Sequence, residues 1–191
     1  NVLSPTGGGT YLFDNIRWAR AGYNGCVIDY ETPNTTISNF KYFANGALEA
    51  QGYQFEFIDN PNPSGINTST KVGKFVRAGD AAVFAGMYAD LEAPLDWKGN
   101  KTVKAKVHMD HIGNFTVKLE GDAINNAFSE LPVPNTKINS WEELTYNFAA
   151  VPDNSEFKRL TVFFDLNIPV TGSDVTSYFD DIVVGNGACG I

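Results

Sequence analysis

Two pairs of acids are the first residues in this chain with the makings of an ion site. Asp29 and Glu31 stand two apart, so in an extended segment they share one face, while Asp180 and Asp181 lie near the other end of the sequence. If the two segments are neighbouring strands, four carboxylates converge, and hard oxygen ligands at that density suit a structural Ca²⁺. The alternative is that these acids are solvated or cap strand ends, with no metal. His108 and His111 have a His-x-x-His spacing, but in a strand that offset points them to opposite faces and no third ligand follows nearby, so zinc is not expected. For catalysis the sequence offers little. No Ser sits in a nucleophile-elbow pattern, and Gly7-Gly8-Gly9 precedes a strand pattern rather than a phosphate-cradling helix. Glu142 and Glu143 are adjacent, so in a strand they cannot flank one bond. No catalytic residue is named, and the chain is not expected to be an enzyme.

The elements that would position such residues are strands. Short β-rich runs recur near 10–18, 26–31, 53–58, 71–77, 82–91, 102–110, 114–120, 142–149, 158–167 and 176–184, separated by turn signals such as Asn60-Pro61-Asn62-Pro63. Residues 37–52 fit either a short helix or an irregular loop. No window of a dozen residues keeps helical apolar spacing, so the expected fold is all-β: a jelly-roll β-sandwich of about eight to ten antiparallel strands. Alternation assigns the faces. Val103, Ala105, Val107 and Met109 oppose Lys104, Lys106, His108 and Asp110, and Val117 and Leu119 oppose Thr116, Lys118 and Glu120. In the run 160–167, Leu160, Val162, Phe164 and Leu166 point one way, leaving Phe163 as an outward aromatic beside Thr161, Asp165 and Asn167.

With 191 residues, 43% of them hydrophobic, and 14 Phe, 8 Tyr and 3 Trp, the chain has the size and bulk for one core. A net charge of -8 and a pI near 4.7 argue against nucleic acid and anionic membranes as partners. No run of 18 apolar residues exists, so membrane insertion is not expected, and the start at Asn1 without a basic-then-apolar leader fits a mature or excised product. Residues 10–16 (TYLFDNI) echo 176–182 (TSYFDDI). The expected organisation is therefore an N-terminal arm, 1–22, resembling the last strand of a preceding repeat, followed by a module spanning 23–191. The arm either packs on its own domain or adds a strand to a neighbouring subunit. First and last strands of a jelly roll can be neighbours, which would bring Cys26 to Cys189 for a disulfide worth roughly 2–4 kcal/mol. Free thiols or a bond between subunits are the other two outcomes.

The segments Asp59-Asn60-Pro61-Asn62-Pro63-Ser64-Gly65-Ile66-Asn67-Thr68-Ser69 and Lys71-Val72-Gly73-Lys74-Phe75-Val76 are similar to a stretch of jelly-roll, galactose-binding-like carbohydrate-binding modules appended to secreted glycan-degrading proteins of marine Bacteroidetes-type bacteria. The likeness continues through Ala85-Gly86-Met87-Tyr88-Ala89-Asp90-Leu91, Trp141-Glu142-Glu143-Leu144-Thr145 and Tyr178-Phe179-Asp180-Asp181-Ile182. It implies carbohydrate recognition, an extracellular or cell-surface location and, in similar modules, a calcium held by acids of the first and last strands. One departure is Phe84, where the pattern leads one to expect Trp. Sugar recognition needs an exposed ring and polar groups for hydroxyls. The candidates are Phe84, Tyr88, Phe163 and Trp97, with His108, Lys118, Asp165, Asn167 and Arg77 as polar partners. The bland reading for each ring is core or a contact between modules. Two functions follow: a non-catalytic carbohydrate-binding module of a secreted or cell-surface glycan-utilisation protein, with a polysaccharide or oligosaccharide as partner, or a structural repeat or filament subunit whose partners are neighbouring modules or identical copies.

Overall fold

A computed structural model describes residues 25–28, 40–50, 55–91, 94–95, 99–121, 128–170 and 172–185. The arm 1–22, Asp29, Glu31, Trp97 and Cys189 lie outside the described residues, as does the side chain of Cys26, so the disulfide, the first-strand acids and the arm's docking are not seen there. The strands are β1 (Gly25–Ile28), β2 (Lys41–Phe43), β3 (Phe55–Asp59), β4 (Lys71–Arg77), β5 (Gly86–Asp90), β6 (Thr102–His108), β7 (Asn114–Glu120), β8 (Phe128–Pro134), β9 (Glu142–Asn147), β10 (Arg159–Phe164) and β11 (Val175–Val184), with one short helix, α1 (Gly46–Glu49). They form two antiparallel sheets, the jelly-roll sandwich expected from the strand pattern. One sheet runs β3-β4-β11-β6-β9 with β1 also on β11, and the other runs β2-β5-β10-β7-β8. First and last strands are neighbours, with Cys26 opposite Val183 and Ile28 opposite Ile182. Among the described residues no helix is long and apolar enough to cross a membrane.

The alternation read from the sequence orients the strands. Val103, Ala105 and Val107 of β6, Phe115, Val117 and Leu119 of β7, and Leu160, Val162 and Phe164 of β10 are all buried in the layer between the sheets. Phe115 and Phe164 meet at 4.7 Å between ring centroids, and Phe75, Phe164 and Phe179 carry the contact into the other sheet. A buried aromatic of this kind contributes roughly 2–3 kcal/mol by area alone. Tyr146 of β9 spans the sandwich: its hydroxyl donates to the Phe115 carbonyl at 2.8 Å, and burial holds its phenol pKa well above the ordinary value.

Two strands were not expected. The undecided segment 37–52 holds β2 and α1. β8 contains Pro132 and Pro134, which remove ladder donors, and it sits at a sheet edge paired only with β7, where proline is tolerated. β10 ends earlier than expected because Asp165 and Asn167 adopt φ of 58° and 63° and turn the chain out of the sheet. The expected run 82–91 likewise starts only at Gly86, since Ala85 closes a turn onto the Ala82 carbonyl at 2.9 Å.

Candidate functional site

The outward residues of the five-stranded sheet line up in cross-strand rows. Arg159 lies between Asp90 and Glu120, and Thr161 lies between Tyr88 and Lys118, with Lys41 and Glu130 one strand further out on either side. The next row carries Phe163 opposite Thr116 and Phe43 opposite Gly86. A groove of about 370 Å³ opens over these rows, lined by Phe43, Phe84, Tyr88, Lys118, Glu120, Glu130, Arg159, Thr161, Phe163 and Leu166. That volume lies within the range of small-ligand clefts.

The floor is built by close fits. A Cβ on Gly86 would meet the Phe163 ring at 2.6 Å, so glycine is what lets that ring approach the neighbouring strand so closely. Phe43 packs edge-on against Phe163 at 5.8 Å. Phe163 is thus outward, as the alternation requires, yet only 5% exposed, whereas Phe84 on the rim is 54% exposed. The Arg159 guanidinium lies over the Tyr88 ring, 4.3 Å from its centroid, and its Nε donates to Asp90 at 2.7 Å, a bond that raises its pKa further. The Thr161 hydroxyl donates to Glu120, whose other oxygen faces Lys118 at 3.4 Å.

A polar clamp around the buried Asp165 adjoins Leu166 of the groove. Asp165 accepts from the Asn114 amide at 3.2 Å and meets His111 Nε2 at 2.8 Å, while His111 Nδ1 meets Asp110 at 2.7 Å. A Cβ on Gly113 would fall 1.8 Å from the same carboxylate. Burial alone would lower the His111 pKa, but the two carboxylates outweigh it and hold it above the usual histidine value. Arg77 donates to the carbonyls of Asp165 (2.9 Å) and Ala82 (3.1 Å), tying the turn before Leu166 to the loop that carries Phe84. Burial lowers its pKa, partly offset by Asp165.

The structure therefore brings four of the expected sugar-site residues together: Phe84, Tyr88, Phe163 and Lys118. Arg77 and Asp165 lie beneath the rim, buried to 1% and 4% exposure and hydrogen-bonded within the protein. Asn167 serves the same loop through its backbone, which bonds Val83 at 2.8 Å. His108 belongs to the opposite sheet. It faces outward as expected but is buried against Trp141 and Tyr178, at 5.5 and 5.8 Å between rings, and burial lowers its pKa. Trp97 lies outside the described residues. Arg159, Glu120, Glu130, Thr161, Phe43 and Leu166 were missed as site residues. Arg159 and Thr161 sit at two-residue spacing before Phe163, so extending the alternation of β10 backward finds both.

On that opposite face the loop 60–70 folds over the six-stranded sheet. Trp141 Nε1 donates to the Asn62 carbonyl at 2.8 Å, and Asn67 Nδ2 donates to Asp180 at 3.0 Å. Asp180 is fully buried, and burial together with Asp181 raises its pKa to about 6. Its second oxygen accepts from the Asp181 amide at 2.9 Å, and the Asp181 carboxylate pairs with Lys106. Asp180 and Asp181, the described half of the expected calcium quartet, are thus engaged by hydrogen-bond donors and a lysine. Among the described residues no cluster of three or more His, Cys, Asp or Glu is placed to hold a metal ion.

No family model matches the sequence, and no curated protein matches it either. Solved structures do match. A family 11 carbohydrate-binding module of a cellulosomal cellulase from Clostridium thermocellum superposes with a TM-score of 0.56 at 10% identity, over 90% of this chain and 100% of that one. A xylan-binding domain, CBM22-2, from Paenibacillus barcinonensis matches at a TM-score of 0.50 and 11% identity, over 85% of this chain and 98% of that one. An exo-β-agarase matches at a TM-score of 0.59 and 12% identity over 88% of this chain, which spans 26% of the agarase's length. At such identities what is shared is the fold, and the chain has the jelly-roll β-sandwich fold that carbohydrate-binding modules are also built on.

Proposed function

We propose that this chain is a non-catalytic carbohydrate-binding module of a secreted or cell-surface glycan-utilisation protein, and that the groove on the five-stranded sheet is its binding face. The observation that carries this reading is the groove itself: about 370 Å³ on an otherwise regular sheet, with apolar rings at Phe43, Phe84 and Phe163 beside polar groups at Lys118, Glu130 and Arg159. Rings cover the C–H faces of a pyranose, while the polar groups take its hydroxyls. The shared fold with modules solved as glycan binders supports it, among them a family 11 module from Clostridium thermocellum in complex with a β-1,3-1,4-mixed-linked tetrasaccharide.

A glycan array tests it, followed by calorimetric titration of any hit. The expected result is binding to at least one oligosaccharide, weakened at least about tenfold by Tyr88→Ala, which removes the ring beneath Arg159. An array without a hit, or a hit whose affinity Tyr88→Ala leaves unchanged, sinks the assignment.

A further inference from the structure

We infer that the groove selects uncharged sugar chains and discriminates against uronates and sulfated glycans, with Arg159 and Glu130 setting this preference; the selectivity presupposes the glycan-binding reading above. Three cations and three anions stand on this face among the described residues: Lys41, Lys118 and Arg159 against Asp90, Glu120 and Glu130. Most are answered in place. Asp90 takes the Arg159 Nε at 2.7 Å and lies 4.0 Å from the Lys41 ammonium. Glu120 faces Lys118 at 3.4 Å and accepts the Thr161 hydroxyl. Glu130 is the exception, its carboxylate making no hydrogen bond or ion pair among the described residues. The face is therefore electrically balanced on a chain of net charge -8, and its uncommitted charge is negative.

A uronate or sulfate ester entering the groove adds a negative charge beside Glu120 and Glu130, where the cations already have acidic partners. A hydroxyl brings both a donor and an acceptor and no charge. Arg159 is held ready for hydroxyls. Stacking on Tyr88 and the bond from Nε to Asp90 fix its plane, and neither Nη group bonds a protein atom among the described residues. Such a fork also suits a carboxylate. What opposes that use is Glu120, directly across the strand pair from Arg159 and itself held in place by Lys118 and Thr161. Glu130 lies two strands beyond β10, on β8, opposite Lys118. Donors on one bank of the groove thus face an acceptor on the other, a pattern matched to the hydroxyls of a neutral pyranose chain.

Affinity electrophoresis of the whole chain through gels holding laminarin, xylan or alginate, at low and at physiological ionic strength, is the test. Retention by a neutral gel is expected to change less than about twofold with salt, and alginate to retain the protein at least about tenfold more weakly. E130Q should narrow the gap by raising retention by alginate relative to retention by the neutral gels, and R159K, which keeps the charge but loses the fork, should weaken neutral retention about tenfold. Alginate retention equal to or stronger than neutral retention, or neutral retention that salt abolishes, overturns the selectivity while leaving glycan binding in place. Absence of retention in every gel overturns both.

Discussion

On the outer face of the six-stranded sheet, Trp141 and Asp180 are bonded by the loop 60–70 and His108 packs between Trp141 and Tyr178, whereas on the outer face of the five-stranded sheet Phe43, Tyr88, Arg159 and Phe163 line an open groove. The two faces carry similar chemistry: rings, a nitrogen base packed against aromatics, acids paired with lysines. They differ in what crosses them. The loop 60–70 is held in a tight shape by its own asparagines, with Asn60 bonding Thr70 and Ser69 at 2.8 and 3.0 Å and Asn67 bonding Ser64 and Ser69 at 3.1 Å, and across the sheet face it donates to Asp180 from Asn67 and Ser69 and accepts from Trp141. Aromatic and polar residues on a sheet face therefore make a structural seam when the chain covers them and a candidate site when it does not.

Substitution on each face should separate the two roles, and the largest effect belongs to the covered one. Trp141→Ala removes a ring that is 3% exposed, leaves the Asn62 carbonyl without its donor and uncovers His108. It should cost about 3–5 kcal/mol of stability by chemical denaturation, while glycan binding at a temperature where the variant is folded stays near wild type. Loss of binding by a fully folded Trp141→Ala protein would place recognition on the wrong face. Phe84→Ala is the mirror experiment. At 54% exposure its ring holds up little of the fold, so stability should stay within about 0.5 kcal/mol of wild type, while binding weakens by about 1–3 kcal/mol. An unchanged affinity would remove the rim ring from the site.

Much of the fold was legible because alternation is a local signal: β6, β7 and β10 each show it in their own sequence, and their inward residues are all buried between the sheets. β8 was illegible because Pro132 and Pro134 argue against a strand anywhere but an edge, and edge position is a property of the assembled sheet. The candidate site was legible by face and illegible by cover. Periodicity correctly turned His108 outward, but nothing in its own strand reveals that Trp141 and Tyr178, from two other segments of the chain, pack against it. Likewise Arg77 and Asp165 have the residue types of sugar ligands, and only the turn after β10, with its φ of 58° at Asp165, shows them bonded to the backbone and to His111 instead. The segments carrying the family likeness divide in the same way: 60–70, Trp141 and Asp180 meet in the covered seam, while Gly86 and Tyr88 belong to the groove.

The smallest effect expected is electrostatic, and it contrasts two histidines only three positions apart. His111, held between Asp110 and Asp165, has a pKa raised above its ordinary 6.5, so the folded state binds its proton more tightly than the unfolded chain does. Its contribution is fully present below that ordinary value and is lost as pH rises through the raised one. His108 is the reverse: burial lowers its pKa, so its contribution is present above 6.5 and is lost as pH falls through the lowered value. Asp180, raised to about 6, shares the sign of His111 but titrates over a lower range, starting from the ordinary 3.8. Subtracting a His111→Asn stability profile from that of wild type isolates the clamp. The difference should be about 1 kcal/mol in favour of wild type on the acid side of 6.5, the scale of a net hydrogen bond, and should shrink steadily as pH rises beyond it. A difference that is flat across this range would mean that His111 acts in the clamp as a neutral ring, and that the clamp is one of shape and hydrogen bonding without charge.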